Sequence, residues 1–142
     1  MKVYRDTVEI RTEDNQQFLD VTKQMRDVVS RSGVQNGTLL INSLHTTIAV
    51  FVNEFQSALL DDLGAVLQKL IPRRDGYRHD DPRHSDCDRA NAHAHLRATL
   101  LGRPIALAVA DGEVLLGQFQ SVIVAELDGP RDRKLQLQIV GE

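Results

Sequence analysis

A single cysteine, no excess of positive charge and no long apolar run set the first limits on this 142-residue chain. One cysteine excludes an internal disulfide, so the fold must rest on burial rather than on covalent staples. Runs such as Ile48 to Val52 fall far short of the about 20 residues that cross a bilayer, and no membrane partner is expected. A net charge of -3 gives no general attraction to nucleic acid, so any anion site has to be local. The opening residues Met1-Lys2-Val3-Tyr4-Arg5 lack the apolar stretch of a secretion signal, which points to a cytoplasmic protein. There is no internal repeat, low-complexity segment or linker.

What remains is globular: 42% hydrophobic and 26% charged residues, at a length suited to one domain spanning residues 1–142. Lys2 to Ile10 and Gln17 to Val21 read as strands joined in an N-terminal hairpin around Asp14 and Asn15. Thr22 can cap a helix over residues 23 to 32, with Met25, Val28 and Val29 on one face and Gly33 ending it. Gly37 to Ser43 and His45 to Val52 are rich in strand formers. Asn53 and Gln56 have capping-box spacing, and Phe55, Leu59, Leu63, Val66, Leu67 and Leu70 then recur at helical intervals as far as Pro72, with Leu59 and Leu63 toward the core. Residues 73 to 87 read as a surface loop, after which Asp88 can cap a helix running through Leu101 to Gly102. Ile105 to Val109, Glu113 to Leu127 and Arg133 to Val140 complete the strands, with Asp111-Gly112 as a hairpin turn and Gly117 as a bulge. Two or three helices among about seven strands, without strict alternation, predict an α+β fold.

Four of the five histidines, His79, His84, His93 and His95, lie between positions 79 and 95, together with Asp80, Asp81, Asp86, Asp88 and Cys87. Side chains of these types serve divalent metal binding and proton transfer. Helix geometry sorts them: Asp88, Asn91, His95 and Thr99 form one polar stripe, whereas His93 lies about 200° from His95 around the axis and reads, like His84, as solvated. His95 is a candidate ligand oriented by Asn91, or else a core histidine bound to a carbonyl. His45, at a strand end before Thr46-Thr47, is a rigidly held candidate ligand or acid–base group, or else a buried histidine satisfying backbone groups. Glu54 can simply complement a helix dipole, and Asp61 with Asp62 can be a solvated helix face. The turn from Asp128 to Arg133 carries Arg131 and Arg133, either of which suits bidentate phosphate binding. Carboxylates beside Cys87 disfavour its thiolate.

His45-Thr46-Thr47, Asn53-Glu54, Asp62, Tyr77-Arg78-His79, Asn91-Ala92-His93-Ala94-His95-Leu96, Leu101-Gly102, Gly117-Gln118-Phe119-Gln120 and Glu126-Leu127-Asp128-Gly129-Pro130-Arg131, in this order and spacing, resemble the YjbQ-like family. The resemblance implies a compact α+β homotrimer with a polar pocket near subunit boundaries. It also implies thiamine-phosphate synthase-like transfer, in which a pyrimidine diphosphate joins a thiazole phosphate and pyrophosphate leaves. On that reading His45, His79 and His95 bind a divalent ion, zinc or magnesium, Glu54 or Asp62 orients or accepts a proton, and Arg131 contacts a small phosphorylated metabolite. The same residues also suit a metal-dependent hydrolase of a small phosphorylated or acyl metabolite, or a non-catalytic trimer that binds a metabolite or metal. Gly117-Gln118-Phe119-Gln120 departs from the family's Gly-Thr-Trp-Gln and removes an indole from the expected pocket.

Overall fold

The computed structural model describes residues 1–102 and 104–142. In chain order the elements are β1 (Lys2–Arg11), β2 (Gln17–Asp20), α1 (Thr22–Ser32), β3 (Gly37–Ser43), β4 (Ile48–Asn53), α2 (Ser57–Leu70), a 3-10 turn (Arg78–Asp80), α3 (Ala92–Leu101), β5 (Ile105–Ala110), β6 (Glu113–Val114), β7 (Ser121–Glu126) and β8 (Asp132–Gly141). The eight strands form two antiparallel sheets, one ordered β1-β8-β3-β5-β6 and the other β2-β7-β4. This is the expected α+β class. Among the described residues, no helix is long and apolar enough to cross a membrane.

The small sheet is buried on both faces. Ile48, Val50, Val122 and Val124 join Met25, Leu39, Ile41, Leu135, Leu137 and Ile139 in the larger core between the sheets. Their neighbours Ala49 and Ala125 point the other way and pack with Leu67, Ala94, Ala98 and Leu127. That double burial explains the unbroken apolar run in β4, where a half-wet strand would alternate. β8 does alternate, with Leu135, Leu137 and Ile139 inward and Lys134 exposed. The small side chains of Ala94 and Ala98 let α3 lie directly on the small sheet, and this seats its N-terminal end beside the segment that leads into β4.

Five expectations need correction. β1 and β2 are not a hairpin: β1 pairs with β8 and β2 with β7, in different sheets, so the turn at Asp14 and Asn15 is a crossing between layers. The second strand of the central pair begins at Ile48, not His45, because His45 to Thr47 form a bend. The Glu113 to Leu127 strand is broken: Gly117 N–H donates to Gln120 Oε1 at 2.7 Å and the Gln120 amide to Gly117 O at 3.0 Å, closing a turn where a bulge was expected. The second helix is capped by Gln56, whose Oε1 accepts from Leu59 N–H at 2.7 Å, while Asn53 Oδ1 takes the Glu54 amide. The third starts at Ala92, four residues after Asp88, because Asp80 rather than Asp88 accepts the Ala92 N–H, at 3.0 Å.

The Asp111-Gly112 turn is as expected, with φ of 52° and 77°, and it joins β5 to β6 in the two-residue form that positive φ permits. Helix α2 differs from its sequence reading in a more consequential way. Leu67 is the one α2 residue that is fully buried, whereas Leu59, Val66 and Leu70 are 38%, 48% and 63% exposed. Most of the apolar stripe of this helix therefore faces away from its own chain.

Candidate functional site

The site is built around the first turn of α3. Asn91 sits at its N-cap but spends its side chain elsewhere: Nδ2 donates to Asp128 Oδ2 at 2.9 Å, and Oδ1 receives the Cys87 thiol at 3.6 Å. The orphan donor at Ala92 is satisfied by Asp80 from the 3-10 turn. Asp80 Oδ1 also lies 3.2 Å from His79 Nδ1. That contact turns the His79 ring toward α3, and it meets His95 with ring centroids 4.9 Å apart and planes tilted by 55°. Tyr77, Arg78, His79, Ala92, His95 and Leu96 line a cavity of about 370 Å³. Burial holds His95 below the ordinary imidazole value, His79 adds to that effect, and Asp128, the Thr46 backbone and Asp80 oppose it. His95 is thus a neutral imidazole at neutral pH, able to give or take one proton.

The turn that carries Asp128 rests on the buried pair Glu126–Arg133. Glu126 is 0% exposed and accepts from Arg133 Nε at 2.9 Å, from Arg133 Nη2, from Thr12 Oγ1 at 2.7 Å and from the Asp128 amide at 3.1 Å. Burial alone would raise its carboxyl, but these bonds, Arg133 foremost, hold it below the usual carboxylate range. Arg133 Nη2 also donates to Thr47 Oγ1 at 2.8 Å. One ion pair therefore fixes the turn carrying Asp128 and Arg131 and the bend carrying His45 to Thr47.

The other expected residues go different ways. His45 accepts the Lys134 amide on Nε2 at 3.1 Å, which leaves the proton of its neutral form on Nδ1. Burial lowers its basicity, with Arg133 adding and Glu126 opposing. Its Nε2 lone pair is committed, and among the described residues no group of three histidine, cysteine or acidic side chains is placed to share an ion. A single chain thus brings His79 and His95 together and does not add His45 as a third ligand. Glu54 and Asp62 are exposed, and among the described residues nothing pairs with their carboxylates. Arg131 lies at the turn with Nη2 on Asp128 Oδ2 at 3.0 Å.

His84 is exposed, as expected, beside Arg78 at 3.4 Å. His93, expected in solvent, is instead 2% exposed with an unpaired Nδ1. It shares its face with Arg97 one turn later, which is also buried and donates to Ile71 O at 2.8 Å, Gln16 Oε1 at 2.7 Å and Gln68 Oε1 at 3.0 Å. The i, i+4 spacing of His93 and Arg97 was visible in the sequence, but polar side chains carry no apolar signature of burial. Asp80, Arg89, Glu126 and Asp128 were likewise missed as site residues, since only the fold gives them their partners.

Burial depresses His93 as well, ahead of the charges of Arg97 and Arg73. For a histidine whose folded value lies below its unfolded value near 6.5, the stabilising contribution is present above that pH and lost as pH falls through the folded value. His45, His93 and His95 all share this sign. Urea unfolding is therefore expected to show stability declining once pH drops below about 6.5, with a shallower decline in His93→Gln. An identical slope in that variant would mean that His93 does not titrate with unfolding.

Comparison with known proteins gives a consistent picture. Residues 6–142 match the family model described as UPF0047 protein YjbQ-like. A UPF0047 protein from Methanothermobacter thermautotrophicus is 37% identical over 142 residues, covering 100% of this chain and 95% of that protein. YugU, a UPF0047 protein from Bacillus subtilis, is 26% identical over 95% of this chain and 98% of its own length. Among solved structures, a YbjQ-like protein of unknown function from Sulfolobus solfataricus P2 superposes with a TM-score of 0.91 at 34% identity, over 99% of each chain. A hypothetical protein from Aeropyrum pernix K1 superposes with a TM-score of 0.89 at 33% identity, over 98% of this chain and 99% of that one.

Proposed function

The chain belongs to the YjbQ-like UPF0047 family, and from that membership we propose a thiamine-phosphate synthase-like transferase that joins a pyrimidine diphosphate to a thiazole phosphate. In such a reaction the bond from the pyrimidine methylene carbon to the diphosphate oxygen breaks, the thiazole nitrogen bonds to that carbon, and pyrophosphate leaves. The chemistry asks a protein mainly to hold phosphates and to stabilise charge on the leaving group. The observation that carries the reading is the meeting of His79 and His95 beside the turn that holds Arg131. Imidazole N–H groups there can donate hydrogen bonds to phosphate oxygens, and Arg131 supplies a fixed cation.

A divalent ion, zinc or magnesium, would be held by His79 and His95 and would stabilise charge on the departing pyrophosphate. Glu54 and Asp62 enter the proposal as proton-handling groups brought to a pocket by assembly. The proposed assembly is a homotrimer, and the exposed apolar stripe of α2 supports an association of copies.

Supplying both substrates with magnesium is expected to release pyrophosphate in the wild type and at least about tenfold more slowly in Arg131→Ala. Metal content after zinc loading should fall in His95→Ala and stay unchanged in His45→Ala. Phosphate released from a single substrate would replace the transferase with a hydrolase. Thermal stabilisation by either substrate without turnover would replace it with a binding protein.

A further inference from the structure

Four hydrogen bonds converge on a single oxygen of Asp128. Arg89 donates to Oδ2 through Nε at 3.2 Å and Nη2 at 2.9 Å, Arg131 through Nη2 at 3.0 Å and Asn91 through Nδ2 at 2.9 Å. The carboxylate is nearly buried, while the side chains of Arg89 and Arg131 are 50% and 34% exposed. Two guanidinium charges thus face one carboxylate charge, and among the described residues no second carboxylate binds either arginine. Each guanidinium carries five N–H donors in a fixed fork, so both retain unused donors with water access. Arg73 reaches the same turn: its Nη1 donates to Asn15 Oδ1 at 3.3 Å, and Asn15 Nδ2 donates to Gly129 O at 3.1 Å.

A carboxylate that merely paired with a surface arginine would need neither its burial nor Asn91. Here the acceptor is fixed from below by the Asp128 amide on Glu126 and from the side by the helix cap, so it locks two long side chains that would otherwise wander. The Asp128 carboxylate balances one of the two guanidinium charges, and the other is left to attract an anion.

We propose that Arg89 and Arg131, locked side by side on Asp128, form a clamp for a phosphate group carrying two negative charges. The group is either free phosphate or the phosphate of a small metabolite. The clamp rests on the reading of Arg131 as a phosphate contact and adds Arg89 as its partner, with Asp128 and Asn91 as positioning residues. The chemistry is bidentate: paired N–H donors from each fork meet phosphate oxygens, and the one positive charge left over from the pairing with Asp128 favours an anion there.

Titration calorimetry with inorganic phosphate and with phenyl phosphate tests it. The wild type should bind both. Arg89→Ala and Arg131→Ala should each weaken binding by about tenfold or more, and Arg89→Lys should weaken it too, because an ammonium keeps the charge and loses the fork. Arg83→Ala, at an exposed arginine paired with Asp81, should leave binding unchanged. Arg89 is half exposed, so its variants test the clamp even where Arg131→Ala perturbs folding. No wild-type binding, or equal weakening in Arg83→Ala, overturns the clamp. Tighter binding of the ester than of free phosphate assigns the site to a phosphorylated metabolite, and equal binding assigns it to the free anion; both support the clamp. Phosphate binding without pyrophosphate release removes the transferase and leaves the clamp, whereas turnover and binding both intact in Arg89→Ala remove the clamp and leave the transferase.

Discussion

Replacing Glu126 with alanine is expected to cost about 3–5 kcal/mol of unfolding free energy, the usual penalty for stranding a buried partner charge. Arg133 is 1% exposed and its Nε and Nη2 both donate to Glu126, so the variant leaves a guanidinium in the core with Thr47 Oγ1 as its one remaining acceptor among the described residues. Thr12 and the Asp128 amide lose an acceptor in the same step. Urea denaturation gives the number. Replacing both partners, Glu126→Leu with Arg133→Met, should recover most of the loss, because two apolar side chains strand no charge. A cost below about 1 kcal/mol for the single variant would show that water or rearrangement reaches Arg133, and the pair would lose its place as the anchor of the Asp128 turn and the Thr47 bend.

The second large effect concerns α2. Val66 and Leu70 lie one turn apart on its exposed stripe, and Leu70, Leu96 and Leu100 line one hollow of about 470 Å³ between α2 and α3. Burying such a face between copies of the chain would give the proposed homotrimer a reason to form. Val66→Glu combined with Leu70→Glu is then expected to weaken assembly by about a hundredfold or more, since each new carboxylate must be desolvated at the contact. Analytical ultracentrifugation would show trimers giving way to monomers, with helix content unchanged because Leu67, the residue that fastens α2 to its own core, is untouched. A wild type that sediments as a monomer, or a variant that stays trimeric, removes this face as the interface.

Much of the fold was legible because its signals are local. The apolar face of α1 with Gly33 at φ 71°, the alternation in β8 and the Asp111-Gly112 turn each follow from a few neighbouring residues. Sheet pairing is not local, and the N-terminal hairpin was misread for that reason. Strand-like residues on either side of a turn describe two strands equally well whether they pair with each other or, as here, with β8 and β7. Helix α2 shows the same limit from another side. Its apolar periodicity marks a helix, and Leu63 packs on the core as expected while Leu59 is exposed, because periodicity says that a face is apolar and not what covers it.

The candidate site divides in the same way. The family resemblance groups His45, His79 and His95, and the fold brings the rings of His79 and His95 together. His45 was named with them, yet the backbone of β8 takes its Nε2, an event no pattern of residue types encodes. His93 was assigned to solvent from its angle to His95, but that angle fixes only relative direction around a helix. Which direction is inward depends on where α3 lands, and Ala94 and Ala98 set it against the small sheet with His93 and Arg97 buried.

By itself, then, the sequence determined the family, the α+β class, the local elements and the chemical types crowded between positions 79 and 95. Periodicity, turn residues and ordered motifs are short-range properties, and they survive without coordinates. Only the tertiary structure decided which of those residues meet. It put Asp80 on the α3 N-terminus, sank Glu126 under the turn that carries Asp128, and drew Arg89 and Arg131 onto one oxygen of Asp128. The physical reason is that charge pairing and burial depend on distance in space, and segments far apart along the chain acquire that distance only when the sheets close.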